Sequence, residues 1–170
     1  MEIRYTIADS PLQRLLVATT EKGVCAVSAA DSDSALEREL KRRFPAATVE
    51  RDDRGLQRLV ARVLGMVRGT ASKDSLPLDL QGTPFQKSVW AELLLIPAGT
   101  TCSYAAIAKR IKRPKAFRAV AQACGANPVA IVVPCHRVVS SDGSLGGYSG
   151  GLHRKRLLLR NEGHRNTRWD

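Results

Sequence analysis

SYAAIAKRIKRPKAFRAVAQACGANPVAIVVPCHRV, residues 103–138, contains two short helical patterns, a turn, and an apolar run that ends at a cysteine beside a histidine. The first helix is predicted from Tyr104 to Ile111, and the second from residue 115 to residue 124 after the break at Lys112-Arg113-Pro114. The outer face of the second helix carries residues at spacings of three and four: Lys115, Arg118 and Gln122. Its predicted inner face is apolar and comprises Ala116, Phe117, Val120 and Cys124. This pattern predicts a helix-turn-helix with a basic outer face.

The segment after the turn points to thiol chemistry. The apolar run Ala130–Val133 predicts a short buried strand that Pro134 ends, so Cys135 is expected at a strand end. A free cysteine has a pKa of about 8.5, so a base or a positive charge must activate it. His136 and Arg137 are candidates for these roles. A small buried cysteine without chemistry is the alternative that adjacency alone leaves open.

The charge of the chain is unevenly distributed. The 170 residues carry a net charge of +11, and residues 103–170 contain 13 Lys or Arg against three Asp or Glu. Residues 1–102 contain 14 against 13. A basic half beside a neutral half is typical of a protein that binds a polyanion, most commonly nucleic acid. A solubilising surface is the alternative.

The cysteines and the apolar segments exclude several classes of protein. The four cysteines lie far apart, with no CxxC pair and no histidine at metal-ligand spacing: Cys25, Cys102, Cys124 and Cys135. We therefore expect reduced thiols, no metal and no disulfide framework. No segment has the length of a signal peptide or the roughly 20 apolar residues of a membrane span. A cytoplasmic protein without a membrane partner is expected.

The amino-terminal domain, residues 1–82, is predicted to be a small sheet with helices. Apolar segments separated by turns predict three antiparallel strands: 3–7, 15–18 and 24–27. A helix capped by Asp33 or Ser34 follows, and an apolar stripe over residues 56–67 predicts a second helix, which Gly69 ends. Three alternating leucines predict one more short strand in the linker of residues 73–82: Leu76, Leu78 and Leu80.

The carboxyl-terminal domain, residues 83–170, is predicted to be mostly helical. Thr83 can cap, and Pro84 can begin, a helix that stops before Pro97. Its predicted apolar face comprises Phe85, Val89, Trp90, Leu93 and Leu94. A basic helix is expected from Leu152 to Asn161, near the end of the chain. The predicted class is therefore α/β (α+β), with the cysteine segment in the helical domain.

Two features complete the candidate site. The glycine-rich loop of residues 146–151 has Tyr148 and Ser149 at its centre, so it can wall a pocket for a flat ring. A flexible surface turn is the alternative. Glu162 is a candidate to orient His136, because a base that acts on a thiol is normally held in one tautomer by a third group. Exposure to solvent is the ordinary alternative for a glutamate at a helix end.

Residues 83–163 closely resemble the 6-O-alkylguanine-DNA alkyltransferases. The motifs that carry the resemblance are SYxxIA at 103–108, PKAxRAV at 114–120, GANP at 125–128, PCHRV at 134–138 and GxxGGYSGG at 143–151. The part from Pro11 through the linker resembles the ribonuclease-H-like amino-terminal domain of the same family. The resemblance implies a sheet-and-helix domain followed by a helical domain with a helix-turn-helix.

The same resemblance implies a role for each matching residue. Cys135 is the alkyl acceptor, His136 is its base through a water, and Glu162 orients His136. Tyr104 hydrogen-bonds the extruded guanine, and Arg118 fills the vacated place in the duplex. The remaining implied positions are the hinge residue Asn127 and the pocket residues Val138, Tyr148, Ser149 and Gly150. Lys115 and Gln122 complete the predicted DNA-binding set.

The resulting hypothesis is direct-reversal DNA repair by a monomer. The protein flips 6-O-alkylguanine, and also 4-O-alkylthymine, out of duplex DNA that it binds through the minor groove. The alkyl group then passes irreversibly to Cys135, in one turnover and without a cofactor. A Cys-His thiol hydrolase is the rival enzyme, but it leaves the basic half unexplained. A DNA-damage sensor would lack the acceptor thiol, and a helix-turn-helix regulator would read one DNA sequence.

Overall fold

The computed structural model describes residues 1–71 and 74–170. The chain folds into two compact units, Met1–Gln81 and Gly82–Asp170. The first is a sheet with helices and the second is mainly helical, so the predicted α+β class is confirmed. In the described residues, every helix is too short or too polar to cross a membrane. Lys73, the start of the predicted linker, lies outside the described residues.

A four-stranded sheet forms the centre of the first unit. Its strands are β1 (Glu2–Ser10), β2 (Gln13–Thr20), β3 (Gly23–Ala30) and β4 (Thr48–Arg51), in the order β3-β2-β1-β4. The first three are antiparallel, as predicted, and β4 is parallel to β1. The sequence did not reveal β4 because this short edge strand is mostly exposed and lacks a clear apolar alternation.

Two helices accompany the sheet. Helix α1 (Asp33–Arg43) begins one residue earlier than its predicted caps allow, because the Oγ of Ser32 accepts the hydrogen bond from the amide of Ala35. The carboxylate of Asp33 instead binds Arg14. Helix α2 (Gln57–Arg68) ends at Gly69 as predicted, and this glycine has the left-handed φ of 75° that favours its type. The core between α1 and the sheet includes Ile3, Leu16, Leu36, Leu40 and Phe44.

The strand predicted around Leu78 does not form. Leu78 makes a single parallel bridge with Val24, supported by bonds from the amide of Val24 to the carbonyl of Pro77 and from the amide of Asp79 to the carbonyl of Val24. Pro77 has no amide hydrogen, so it cannot extend this pairing into a ladder. The alternation of the leucines was therefore a misleading signal.

The second unit contains four helices of α type in the described chain. They are α3 (Pro84–Leu93), α4 (Tyr104–Arg110), α5 (Phe117–Gly125) and α6 (Leu152–Asn161). Two short parallel strands, β5 (Cys102–Ser103) and β6 (Val138–Val139), and the 3-10 turns Cys135–Arg137 and Thr167–Trp169 complete it.

The ends of these helices follow local sequence signals. Thr83 and Gln86 form a capping box around Pro84 at the start of α3, as its sequence predicts. Helix α3 ends at Leu93, however, and Leu94 is 45% exposed rather than part of the apolar face. The indole of Trp90 donates a hydrogen bond to the carbonyl of Ala123 at 2.9 Å, which ties α3 to α5.

The predicted strand at Ala130–Val133 is also wrong, because these residues form a compact turn instead. The amide of Val133 donates to the carbonyl of Val129 at 3.0 Å, and Ile131 has a positive φ of 74°. Apolar runs in a strand and in a buried turn have the same composition, so the sequence does not distinguish them. Cys135 consequently begins a 3-10 turn, and the strand comes after it, at β6.

Candidate active site

A cavity of about 460 Å³ lies in the second unit, within the size range of small-ligand pockets. Its wall combines the start of α4, the whole length of α5, the cysteine turn, Ser140 and the glycine-rich loop. The lining residues are Tyr104, Phe117, Arg118, Ala121, Cys124, Gly125, Cys135, Ser140, Gly146, Gly147, Tyr148 and Ser149. The cavity therefore brings together residues that are as much as 45 positions apart in the chain.

Cys135 lies on the wall of this cavity and is only 5% exposed. Burial raises the pKa of its thiol, although hydrogen bonds from Asn127 and Tyr148 and the positive charge of Lys155 act in the opposite direction. The group is consequently a thiol in the resting protein at neutral pH. A nucleophilic reaction at its sulfur needs a base that takes the proton.

His136 is held by Glu162 in the buried part of the unit. Its Nε2 lies 2.8 Å from Oε1 of Glu162, and the two side chains are 1% and 4% exposed. Burial raises the pKa of Glu162, but hydrogen bonds from His136 and Arg137 outweigh this effect and lower the pKa to about 2. Burial also lowers the pKa of His136, and this exceeds the opposing effect of Glu162. At neutral pH the pair is therefore a carboxylate and a neutral imidazole.

The ionised carboxylate assigns the tautomer of His136. A carboxylate only accepts hydrogen bonds, so Nε2 must carry the ring proton and donate it to Glu162. The lone pair of the neutral ring is then on Nδ1. Nδ1 is buried and has no hydrogen-bond partner among the described residues. The arrangement leaves one buried ring nitrogen ready to accept a proton.

Arg137 contributes an interaction that the sequence pattern did not assign. Its Nε and Nη2 donate to the carboxylate of Glu162 at 2.7 to 3.1 Å, and its Nη1 donates to the carbonyl of Ile96 at 2.6 Å. Arg137 thus binds both oxygens of Glu162 and fixes the carboxylate in place. Its position beside His136 was noted in the sequence, but its partner lies 25 residues away and no local pattern identifies it.

Two tyrosines border the cavity. Burial raises the pKa of Tyr104 to about 12, against the effect of a hydrogen bond from the backbone of Gly147. Burial also raises the pKa of Tyr148, and the neighbouring Cys135 acts in the same direction. Both hydroxyls therefore keep their protons at neutral pH and can donate hydrogen bonds to an acceptor in the cavity.

Asn127 holds the turn that precedes Cys135. Its Nδ2 donates to the carbonyl of Val133 at 2.8 Å, and its Oδ1 accepts from the amide of Val129 at 2.9 Å. The residue is 6% exposed, so water does not replace these bonds. The side chain thus connects the end of α5 to the cysteine segment.

The predicted DNA-binding residues occupy the outside of the helix pair. Arg118 and Gln122 are exposed on α5, and Arg118 also lines the cavity. Lys115 is exposed as well, but it precedes α5, which begins only at Phe117. Phe117 was expected on the inner face, yet it is 47% exposed because the first turn of α5 lies at the edge of the unit's packing.

Val138 and Gly150 are not among the lining residues of the cavity, unlike the other predicted pocket residues. Val138 is fully buried, and its carbonyl accepts a hydrogen bond from Lys155. The carbonyl of Gly150 accepts a bond from Arg154 at 2.9 Å. A side chain at position 150 would meet the ring of Tyr148, at 2.9 Å from Cε2, so this glycine leaves room for the tyrosine.

Lys155 was missed by the sequence reasoning. It is fully buried, and its Nζ donates to the carbonyls of Val138, Leu145 and Gly147 at 2.7, 2.5 and 3.0 Å. These three bonds match the three donors of an ammonium group. Burial lowers the pKa of Lys155 to about 8, so it is mostly charged at neutral pH. A signal existed, because Lys155 lies at helical spacing from the buried Leu158 and Leu159.

A second thiol, that of Cys124, also lines the cavity. Burial raises its pKa to about 12, so this cysteine is protonated at neutral pH. Cys25 and Cys102 are free as well and are not lining residues. Among the described residues, no three His, Cys, Asp or Glu side chains are grouped so that they could hold a metal ion.

Two family models match the two units. The model described as "6-O-methylguanine DNA methyltransferase, DNA binding domain" matches residues 84–164. The model described as "6-O-methylguanine DNA methyltransferase, ribonuclease-like domain" matches residues 3–68. Together they cover most of the chain, including every predicted site residue.

The chain is also similar to named proteins. It is 46% identical to "Bifunctional transcriptional activator/DNA repair enzyme Ada" of Escherichia coli K12, over 99% of this chain but 48% of that protein. The chain thus spans about half the length of this relative. It is 41% identical to "Methylated-DNA--protein-cysteine methyltransferase" of Methanosarcina mazei, over 93% of this chain and 96% of that protein.

A solved structure has the same fold. The crystal structure of Mycobacterium tuberculosis OGT in complex with DNA matches with a TM-score of 0.78 and 38% identity, over 94% of this chain and 92% of that chain. The matches in both units, and the identity over nearly the whole length, agree with the motifs around Cys135. The chain therefore belongs to the 6-O-methylguanine DNA methyltransferase family.

Proposed function

We propose that this protein repairs DNA by direct reversal, moving an alkyl group from O6 of guanine to the Sγ of its own Cys135. The observation that carries the proposal is a buried thiol on the wall of a cavity, next to a neutral histidine with one unbonded ring nitrogen. Membership of the family supplies the reaction class. Each molecule reacts once.

Activation of the thiol begins at His136. Because burial keeps Cys135 protonated, its proton must leave as the sulfur attacks. The Nδ1 atom of His136 accepts it through one water molecule, and the carboxylate of Glu162 stabilises the resulting imidazolium. Arg137 holds Glu162 in position for this role. The histidine is thus the base, and the glutamate is its positioning residue.

The transfer balances without a further reactant. A carbon–sulfur bond forms at Cys135 as the carbon–oxygen bond of the alkylguanine breaks, and the electron pair of the broken bond stays on the guanine. The proton lost by the thiol is matched by the proton that the leaving guanine gains. Tyr104, which is protonated and lines the cavity, donates a hydrogen bond to the developing negative charge. The thioether product has no easy route to hydrolysis, so the protein is not regenerated.

Duplex DNA is the proposed partner. Lys115, Arg118 and Gln122 are exposed, Arg118 also lines the cavity, and the surrounding segment is basic. We infer binding through the minor groove, with Arg118 filling the space left by the extruded base. Extrusion costs a few kcal/mol, which phosphate and pocket contacts offset. Gln122 and Lys115 position the backbone of the duplex.

The pocket contacts of the extruded base come from the glycine-rich loop. Tyr148 and Ser149 line the cavity, while Val138 and Gly150 support it from behind. Asn127 acts as the hinge that keeps Cys135 facing this loop. We infer that 4-O-alkylthymine is a second substrate, that the protein acts as a monomer, and that it works in the cytoplasm, where it meets DNA.

Transfer of a labelled methyl group tests this function. The protein is incubated with duplex DNA that contains 6-O-methylguanine labelled in its methyl group, and the peptide that contains Cys135 is then analysed by mass spectrometry. One methyl group per molecule is expected on Cys135. Cys135→Ser abolishes the transfer, whereas Cys102→Ser, at a thiol outside the cavity lining, leaves it intact. Label that stays on the DNA, or turnover beyond one methyl group per molecule, contradicts the proposal.

A further inference from the structure

Phe117 is an exposed aromatic residue at the cavity mouth that the proposed roles do not use. It is 47% exposed, is the first residue of α5, and lines the cavity together with Arg118 and Cys135. The other exposed large apolar residues of the described chain do not line this cavity: Met1, Leu94, Leu95 and Leu152. A single exposed apolar residue is ordinary on a protein surface. The surroundings of Phe117 therefore determine whether its exposure indicates a binding role.

The chain segment that contains Phe117 is basic. Residues 93–141 contain no Asp or Glu, and the exposed cations of this stretch include Lys109, Arg110, Arg113, Lys115 and Arg118. A field of one sign with no acidic side chain is complementary to the phosphates of a nucleic acid. The occupant of this surface is therefore duplex DNA, in keeping with the proposed function.

The neighbours of Phe117 on the helix pair are small. Ala116 directly precedes Phe117, and Ala121 follows it one helical turn later and lines the same cavity; both are partly exposed, and their small side chains allow the backbone to approach another surface closely. An aromatic ring among them would hold the helix away from the duplex unless the ring entered it. Apolar side chains do enter base steps from the minor groove, where they unstack and kink the duplex.

We propose that Phe117 is an apolar wedge that enters the duplex beside the position filled by Arg118 and keeps the unstacked base step open. Both residues line the same cavity from the first turn of α5, so they reach neighbouring places in the duplex. The phenyl ring stacks on the base next to the gap, which stabilises the extruded state. Phe117 is thus a positioning residue for extrusion, and this role rests on the proposed function.

Transfer from two substrates tests the wedge. Phe117→Ala is compared with the parent protein on duplex DNA that contains 6-O-methylguanine and on 6-O-methylguanine as the free base, which needs no extrusion. The duplex rate is expected to fall roughly tenfold or more, and the free-base rate to stay within about twofold. Phe117→Trp, which keeps an aromatic ring, is expected to restore the duplex rate. Leu152→Ala removes an exposed side chain at the start of another helix and is expected to change neither rate.

A fluorescence measurement detects the unstacked step directly. With 2-aminopurine next to the lesion, binding of the parent protein is expected to raise the fluorescence, and Phe117→Ala to lose most of this rise. A duplex rate that is unchanged or faster in Phe117→Ala overturns the wedge, as does an equal loss on both substrates. If the parent protein gains no methyl group from either substrate, the proposed function itself fails, which is a different result from a failure of the wedge alone.

Discussion

Charged side chains are arranged differently in the two units. In the first unit, arginines pair with carboxylates near the surface. In the pair Arg4–Asp52 the two side chains are 59% and 26% exposed. In the pair Arg51–Asp53 they are 39% and 61% exposed. In the second unit, Glu162 is 4% exposed and Lys155 is fully buried. Exposed pairs contribute about 0 to 1 kcal/mol each, whereas an unpaired buried charge costs several kcal/mol.

The difference in exposure indicates that the buried charges of the second unit fix the positions of other groups, whereas the exposed pairs of the first unit do not. Every buried charge of the candidate active site has full hydrogen bonding: Glu162 binds His136 and Arg137, and Lys155 binds three carbonyls. Such groups are costly to bury, so their gain must lie in fixing the positions of their partners. We therefore expect substitutions in the second unit to have larger effects than matched substitutions in the first.

The largest effect is expected for Glu162→Gln on the rate of methyl transfer. The amide no longer stabilises an imidazolium or fixes the tautomer of His136, so the duplex and free-base rates both fall by about 100-fold or more. Rapid-mixing measurements of methyl transfer provide the test. Asp53→Asn removes a carboxylate of the first unit that is 61% exposed and is expected to leave both rates unchanged. Transfer by Glu162→Gln at the parent rate would exclude a role for the carboxylate.

The acid stability of the protein is the second test. The folded pKa of Glu162, about 2, is below its ordinary value of 4.5, so between these values the unfolded chain binds a proton that the folded chain does not. The stabilisation, on the order of 3 kcal/mol, is present above pH 4.5 and is lost as the pH falls towards 2. Urea unfolding of the parent and of Glu162→Gln should therefore give a difference that shrinks in this range. A constant difference would contradict the prediction.

Asn127→Ala is expected to destabilise the second unit by about 2 kcal/mol, because the buried carbonyl of Val133 and amide of Val129 both lose their partner. Urea unfolding measures this change. The control is Asn166→Ala, an exposed residue whose side chain accepts one bond from the amide of Arg168, with an expected cost of about 1 kcal/mol or less. An equal loss in the free energy of unfolding for Asn127→Ala and Asn166→Ala would show that burial of the hydrogen bonds does not determine the size of the loss.

Lys115→Ala is expected to lower the affinity for DNA modestly, and by a similar factor for every DNA sequence. Loss of one phosphate contact reduces the slope of log affinity against log salt by about one. Titrations of duplex DNA at several salt concentrations give this slope. Lys41→Ala removes the same charge from an exposed position in α1 and is expected to leave the slope unchanged. A slope that is equal in the parent and in Lys115→Ala would remove Lys115 from the interface.

The smallest effect is expected for Arg4→Ala. Its guanidinium pairs with Asp52 at 2.9 Å, but it is 59% exposed, so solvent screens the pair. The free energy of unfolding should fall by no more than about 0.5 kcal/mol. Urea unfolding in low and high salt checks this value, and a loss comparable to that of Asn127→Ala would erase the contrast between the two units.

Short-range signals predicted much of the fold. The capping box at Thr83, the left-handed glycine at position 69 and the helix pair around residues 104–125 each depend on neighbours within a few residues. The same kind of signal failed at Ala130–Val133 and at Leu78, because an apolar run does not reveal whether its backbone will pair with another strand. Strand pairing depends on partners that are distant in the chain.

The candidate site shows the same distinction between features that local sequence predicts and features that depend on residues distant in the chain. Motifs pointed to Cys135, His136 and Glu162, but only the fold shows that Lys155 is buried and that Phe117 and Cys124 line the cavity. Lys155 lies at helical spacing from buried leucines, yet only the fold shows which carbonyls accept its hydrogen bonds. For Phe117 the spacing was misleading, because the first turn of a helix packs on fewer neighbours than its middle.

The amino-acid sequence by itself determined the capping box that begins α3, the glycine that ends α2, the charge asymmetry and the adjacency of the thiol to the imidazole, since each depends on covalent order or local hydrogen bonds. Only the tertiary structure decided that Glu162 meets His136 across 26 residues and that Nδ1 of His136 has no hydrogen-bond partner in the part of the chain that the structure describes. Burial decided the protonation of these groups, because the desolvation that shifts a pKa depends on the whole surrounding fold.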